Sequence, residues 1–345
     1  MRVDVKLFES LDAVERDARG ALDRAAQQSL FSRLAWFRLI ADHCPPTGQL
    51  LVARAQTRED EWGRTAAWIF LSEDNAKAES FASWYSLRTN PVHFQPDPPE
   101  SRACLIAIAR ALRARKISKL VLPRVEGSVA QLERAFREAG WFVHSEPHIV
   151  SWQIDTDMMD FFRYWSRRPS KLRNTAERKA KAADLDIRIY RYFSEPGWED
   201  YESVYAASWK PEEGSPAFLR DLAEHEGEAG TLRLGIARKD GVPVAAQFWL
   251  VENGTAWIHK LAYREDAKDL SPGTVLSMAM FRSALDEDRV TRIDYGTGDD
   301  RYKKDWMEDR HLLQRFVAHN PSTLAGLAAE AKARASKLVR GLRSG

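Results

Sequence analysis

One order of periodic segments occurs twice along this chain, and that doubling constrains the fold more than any single motif. Helical and alternating hydrophobic periods give the first half a strand at 3–7 and helices at 11–26 and 34–43. Strands follow at 50–55, 66–71 and 81–87, then a helix at 102–115, a strand at 119–122, a helix at 129–139 and extended chain at 141–154. The second half repeats it: a strand at 186–192, helices at 198–209 and 217–226, and strands at 231–237, 244–251 and 255–263. A helix at 272–286, a strand at 292–296, a short helix at 301–307 and a strand at 312–318 complete it. Glu252-Asn-Gly254 between the second half's second and third central strands is a hairpin signal. Both halves read β-α-α-β-β-β-α-β-α-β. The expected architecture is α/β (α+β): two tandem domains at 1–154 and 155–320, each a mixed, mostly antiparallel sheet flanked by helices. A basic helix at 321–345 follows.

The 345 residues suffice for two such domains, and 44% hydrophobic with 30% charged content fits a chain that folds and stays in water. A net charge of +2 argues against a uniformly basic nucleic-acid binder. No apolar run is long enough to span a bilayer, and the N-terminal residues alternate like a strand instead of forming a signal peptide's apolar core. Cys44 and Cys104 are the only cysteines. They exclude a disulfide framework or a cysteine zinc site and fit a reducing cytoplasm. The twelve tryptophans read first as core anchors and second as lining for a substrate groove.

The halves differ before their third major helix. The second has Ser271-Pro-Gly-Thr-Val-Leu276. Ser271 can cap a helix, Pro272 suits its first position, and Gly273 leaves the backbone open to close approach. Such a helix start attracts phosphate, so Ser271, Gly273 and Thr274 are the expected donor-binding residues. The first half has Asn90-Pro-Val-His-Phe-Gln-Pro-Asp-Pro-Pro99, with no glycine, and is expected to lack a donor loop. The second half's 292–296 strand leads into Asp299, Tyr302 and Lys303. Acyl transfer to an amine needs the ammonium deprotonated, the oxyanion held and a proton returned to the leaving group. Tyr302 can donate that proton, and Lys303 can hold an oxyanion or a phosphate. Asp294 and Asp299 are the carboxylates at hand, and the face of Asp294 on its strand is open. The plain alternative is a set of loop charges around a short helix.

The segments His259-Lys-Leu-Ala-Tyr263, Leu270-Ser-Pro-Gly-Thr-Val-Leu276, Asp294-Tyr-Gly-Thr-Gly-Asp299 and Tyr302-Lys303 resemble the GNAT-superfamily acetyltransferase family called CelD or BioF2-like. At longer range they are similar to the Fem aminoacyl transferases. The resemblance implies tandem GNAT-like domains and an acyl-CoA co-substrate. Ordinary single-domain GNAT enzymes carry Arg/Gln-x-x-Gly-x-Gly/Ala; here Ser-Pro-Gly-Thr keeps one glycine. In the Fem relatives an aromatic–lysine pair lies where Tyr302 and Lys303 fall.

The stretch Ser170–Lys181 also resembles this family's basic helix. Lys171, Arg178 and Lys181 line one of its faces, Arg173 and Glu177 form an i, i+4 pair, and Arg167 and Arg168 precede it. The row reads either as a solvated face or as a grip on a phosphate-rich substrate. His144 and His148 have metal-like i, i+4 spacing, but Pro147 breaks the helix that would align them, so no metal is expected. His259 reads as a satisfied sheet residue. In the tail, Leu324, Leu327, Ala331, Leu338 and Leu342 alternate with Lys332, Arg334, Lys337, Arg340 and Arg343. That pattern packs on the body or lies on an anionic membrane as a peripheral contact.

The expected function is a cytoplasmic N-acyltransferase moving an acyl group from acyl-CoA to an amine. The family association points to an amino sugar or another nucleotide- or lipid-linked envelope or exopolysaccharide precursor as acceptor. The alternatives are a Fem-like transferase using aminoacyl-tRNA and a non-catalytic GNAT-like binding module. Tyr302, Lys303 and Asp294 are the expected catalytic residues, and Lys171, Arg178, Lys181 and Asp299 the substrate-binding ones.

Overall fold

The computed structural model describes residues 2–57, 64–127, 129–157 and 159–343, with side chains described through residue 335. In chain order the elements are β1 (Val3–Phe8), α1 (Leu11–Ala18), α2 (Leu34–His43), β2 (Gln49–Thr57), β3 (Ala66–Asp74), β4 (Lys77–Ser80) and β5 (Val92–Phe94). Then come α3 (Pro98–Ala114), β6 (Lys119–Val125), α4 (Val129–Glu138), β7 (Phe142–Asp155), α5 (Phe161–Ser166), α6 (Ser170–Ala183) and β8 (Asp186–Tyr190). The rest are α7 (Glu195–Ala206), α8 (Pro216–Glu228), β9 (Leu232–Lys239), β10 (Val242–Glu252), β11 (Thr255–Tyr263), α9 (Pro272–Arg282), β12 (Arg292–Thr297), α10 (Lys303–Trp306), β13 (Asp309–His319) and α11 (Leu324–Arg343).

Contacts divide the chain into two units. The first comprises Met1–Ile149 and Leu312–Gly345, the second Val150–His311. In the first the strand order is β1-β2-β3-β4-β6-β13, antiparallel except for the parallel β4–β6 pair, with β5 added beside β3. In the second it is β8-β9-β10-β11-β12-β7, antiparallel except for the parallel β11–β12 pair. The mixed, mostly antiparallel sheet flanked by helices is the architecture expected. The boundaries differ in one respect. Residues 150–155 of β7 pair with β12 in the second unit, and β13 pairs with β6 in the first. The first half therefore gives the end of β7 to the second unit, and the second half gives β13 to the first. Periodicity identifies these strands but not their partners, because pairing is decided by which edge stands open.

The first unit's core lies beneath α3 and α4. Asp97 caps α3 by accepting from Glu100 N–H, Pro98 starts it, and Cys104, Leu105, Ile108, Ala109 and Leu112 are its buried face. A fully buried side chain such as Ile108 or Leu112 contributes about 1.5–3 kcal/mol.

Three local readings are corrected. α1 stops at Ala18 because Arg19 takes the left-handed region at φ 50°, so 19–26 does not continue the helix. The strand expected at 81–87 is irregular; β4 ends at Ser80. There Ser83 N–H donates to Ser86 Oγ and Tyr85 N–H to Ser83 Oγ, local bonds that replace a ladder. The apolar signal came from Phe81 and Tyr85, which are buried. In the tail, Leu324, Leu327 and Ala331 face solvent, while Gly326 and Glu330 face inward. The side chains of Lys337, Leu338, Arg340, Leu342 and Arg343 lie outside the described residues.

Candidate active site

The second unit's sheet opens between β11 and β12. Their parallel ladder runs through Thr255↔Arg292, Ala256↔Ile293 and Trp257↔Asp294 and goes no further, while β11 continues to Tyr263. Diverging strand ends in a mixed sheet form a crevice where ligands bind. A bulge adds to this. Trp249 pairs with Ile258 and Phe248 with Lys260, so His259 is the extra residue. The bulge re-aims the side chains that follow, and Lys260 reaches Glu213 at 2.8 Å.

Glu213 lies in the loop between α7 and α8, as does Lys210. These two helices and their loop wall a cavity of about 450 Å³, lined among others by Trp198, Tyr201, Tyr205, Lys210, Glu213 and Leu219. Aromatic walls with a few convergent polar groups are the usual make-up of a small-molecule site. Lys210 is the group whose chemistry is most altered. Burial pulls its pKa down, as do the Lys260 and then the Lys303 ammonium groups; Glu213 and Asp300 oppose them, and the result is about 8. A lysine there is a base near neutral pH, which an ordinary surface lysine is not. Tyr205 moves the other way, pushed up to about 12 by burial and the Glu213 carboxylate, so its hydroxyl stays protonated. His259 is mostly enclosed and stacks on Phe248 at 5.8 Å. Burial and the adjacent Lys260 charge hold it near 3, so it is neutral.

The expected catalytic residues separate into different jobs. Asp294 faces inward and is fully buried. It accepts from Gly296 N–H at 2.7 Å and Gln153 Nε2 at 3.0 Å, tying β12 to β7. Buried and held in this way, it is a poor candidate for a base exchanging protons with a substrate. Lys303 is also buried; its Nζ donates to the Thr297 carbonyl at 2.7 Å and stands 3.5 Å from Asp300. Burial lowers its pKa against the pull of Asp300, Asp294 and Asp299. It holds the turn after β12, and its charge is felt at Lys210. Tyr302 is 41% exposed and sits edge-on to Tyr295 at 5.8 Å. Partial burial and Asp300 push its pKa up, which makes its hydroxyl a hydrogen-bond donor more than an acid. Asp299 is bound by Arg310 at 2.7 Å and Trp152 Nε1 at 3.2 Å.

The expected donor cradle is altered in detail. Ser271 adopts φ 52°, ψ 45° and makes no side-chain cap, contrary to its expected role. Its carbonyl instead accepts from both Thr274 and Val275 N–H. Gly273 does not face open space, because a Cβ there would stand 3.0 Å from the Tyr263 ring. The glycine lets Tyr263 pack on the first turn of α9. With no N–H on Pro272 and those of Thr274 and Val275 engaged, the turn offers Gly273 N–H but no full nest for a pyrophosphate.

On α6, Lys171, Arg178 and Lys181 are all exposed, one solvent-facing row. Arg173 and Glu177 do not pair as expected: Arg173 donates to the Arg168 carbonyl and Glu177 accepts from Trp165 Nε1 at 2.9 Å. Arg168 is buried, bound to the Trp306 carbonyl and Glu308, and adds nothing to the row. The first unit has its own cavity of about 480 Å³, with Lys77, Lys119, Arg124 and Arg315 on its wall beside the exposed Trp84. Sequence reading missed Lys210, Glu213 and Tyr205. The Trp209-Lys-Pro211 loop carries no motif, and Lys210 is perturbed by Lys260 and by the Asp300–Lys303 segment as well as by Glu213 in its own loop.

Residues 163–304 match the family described as an acetyltransferase (GNAT) domain. The match lies within the second unit, which carries a GNAT acetyltransferase domain. Among solved structures, the chain is similar to FemX over 90% of its own length and 96% of that chain, with a TM-score of 0.60 and 9% identity. It is similar to the C-terminal domain (DUF2156) of a protein described as a lysylphosphatidylglycerol synthetase from Agrobacterium fabrum, over 93% and 95% of the two chains, with a TM-score of 0.57 and 15% identity. A third likeness is L-PGS from Bacillus licheniformis, over 86% and 94%, with a TM-score of 0.50 and 10% identity. At these identities the likenesses show the fold. No curated protein sequence matches the chain.

Proposed function

We propose that the second unit is an N-acyltransferase whose amine acceptor enters the cavity between α7 and α8, with Lys210 as general base. The observation that carries this is Lys210 itself, at about pKa 8 on an aromatic wall beside the opening between β11 and β12. Neutral Lys210 takes a proton from the acceptor ammonium. The free amine attacks the donor carbonyl, and the bond to the leaving sulfur or oxygen breaks as the amide forms. As the adduct collapses, its nitrogen gives a second proton to solvent, and the Lys210 ammonium returns the first to the leaving group. Tyr302 donates a hydrogen bond to the oxyanion, and Lys303 and Asp294 hold the turn that presents it. In this reading Ser271, Gly273 and Thr274 border the donor, while Asp299 keeps the Asp299–Lys303 loop fixed through Arg310.

The donor is an acyl thioester, acyl-CoA, in the first reading. The second is aminoacyl-tRNA, favoured by two observations: the turn at Ser271 lacks a pyrophosphate nest, and Lys171, Arg178 and Lys181 form a free-standing row suited to a polyanion. Purified protein supplied with acetyl-CoA and amino-sugar acceptors, or with charged tRNA, separates them by which donor is consumed. With the active donor, kcat rises as pH climbs through about 8, because deprotonation creates the base. Lys210→Met is expected to lower kcat by roughly 10²–10⁴-fold and remove that rise. An unchanged pH profile in the folded variant rejects Lys210 as the base.

A further inference from the structure

Three elements of the first unit converge on a second cluster. His144 on β7, His319 at the end of β13 and Glu330 on α11 bring their ligand-type atoms within 4.8 Å of one another. His144 Nε2 lies 2.6 Å from Glu330 Oε2, and His319 Nδ1 lies 3.0 Å from the same oxygen. The side chains of His319 and Glu330 are each 5% exposed, and that of His144 is 22% exposed at the rim. The other carboxylate oxygen is fixed by Arg334 Nε at 2.7 Å. Glu330 thus has one oxygen oriented by an outer partner and the other aimed between two imidazoles.

Two imidazole nitrogens and one carboxylate oxygen form a borderline-soft donor set that suits zinc, with a water as fourth ligand. The outer bond from Arg334 orients the carboxylate in the way such sites are commonly supported. His148, which shares the i, i+4 spacing, is not part of the cluster; Glu330, which His144 contacts, is 186 residues away in sequence.

We propose that His144, His319 and Glu330 form a zinc site, open to one water on the His144 side, that pins α11 to β7 and β13. An ion held by the folded state alone stabilises that state by mass action. The test is titration of chelator-treated full-length protein with zinc chloride, read by calorimetry and thermal melting. One zinc per chain is expected, with micromolar or tighter affinity and a melting temperature raised by several degrees at saturation. His319→Ala and Glu330→Gln should each weaken binding by about tenfold or more, while His148→Ala leaves it unchanged. His144→Gln, at the rim, is the variant most certain to fold, as circular dichroism will check, and it should weaken binding similarly. Absence of zinc binding by the folded wild-type chain overturns the proposal, as does undiminished affinity in folded His144→Gln.

Discussion

Lys210 illustrates at the residue scale how a site is made from groups that are unremarkable alone. Its pKa of about 8 lies below that of an ordinary lysine. Between the two values the unfolded chain holds a proton that the folded chain has released. Folding stability therefore rises with pH from about 8 toward the ordinary lysine value, and below 8 the cost of the enclosed ammonium is fully present. Lys210→Met keeps most of the stem and deletes the charge. Its melting temperature at pH 7 is expected to equal or exceed that of the wild type, and the difference should shrink as pH approaches 10. A pH-independent loss of stability would mean that the ammonium is stabilising where it stands. Gly273 teaches a related lesson. A glycine at a helix start looks like room for a phosphate, yet its missing Cβ accommodates the Tyr263 ring.

At the scale of elements, α11 shows how packing overrides pattern. Its first leucines form the apolar stripe in sequence, and Leu324 is 87% exposed. The inward face is instead Gly326 and Glu330, a small residue and a charged one. Gly326 sits against the Asn320 carbonyl, and a Cβ would fall inside contact distance of that oxygen. Glycine to alanine in a helix interior normally stabilises by about 1 kcal/mol. Here Gly326→Ala is expected to destabilise the first unit, with a lower urea midpoint at an unchanged slope. A stabilised variant would mean that α11 docks differently. α9 and β11 were readable because their apolar periods coincide with their buried faces. The 81–87 loop was misread because burial alone made it look like a strand.

At the scale of the molecule, the halves are tandem in sequence, yet β13 joins the first unit and the end of β7 joins the second. β13 supplies Phe316 and Ala318 to the first unit's core, with Phe316 edge-on to Phe136 at 5.1 Å. Deleting residues 312–345 removes that strand and leaves β6 with an open edge, a known route to aggregation. Hydrogen exchange on the truncated chain should show lost protection in β2, β3, β6 and α3. Protection in β9, β10 and β11, whose partners all lie within the second unit, should persist. Equal loss in both units would mean that they fold as one cooperative block. Phe316→Ala, expected to cost about 3–5 kcal/mol, reports the same dependence with the chain length intact.

The sequence by itself determined most of the elements and their doubled order, because hydrophobic period and turn chemistry are local and each half carries its own copy. It also placed the GNAT-like segment, since Ser271–Leu276 and Asp294–Lys303 are contiguous. Tertiary structure decided which edge each final strand joins, that Asp294 points inward, that Lys303 holds a turn, and that Lys210 stands beside Lys260 and Glu213. Each of these depends on groups from separate segments meeting in a medium with little water. Burial and the fields of neighbouring charges set a pKa there, and neither is a property of the local sequence.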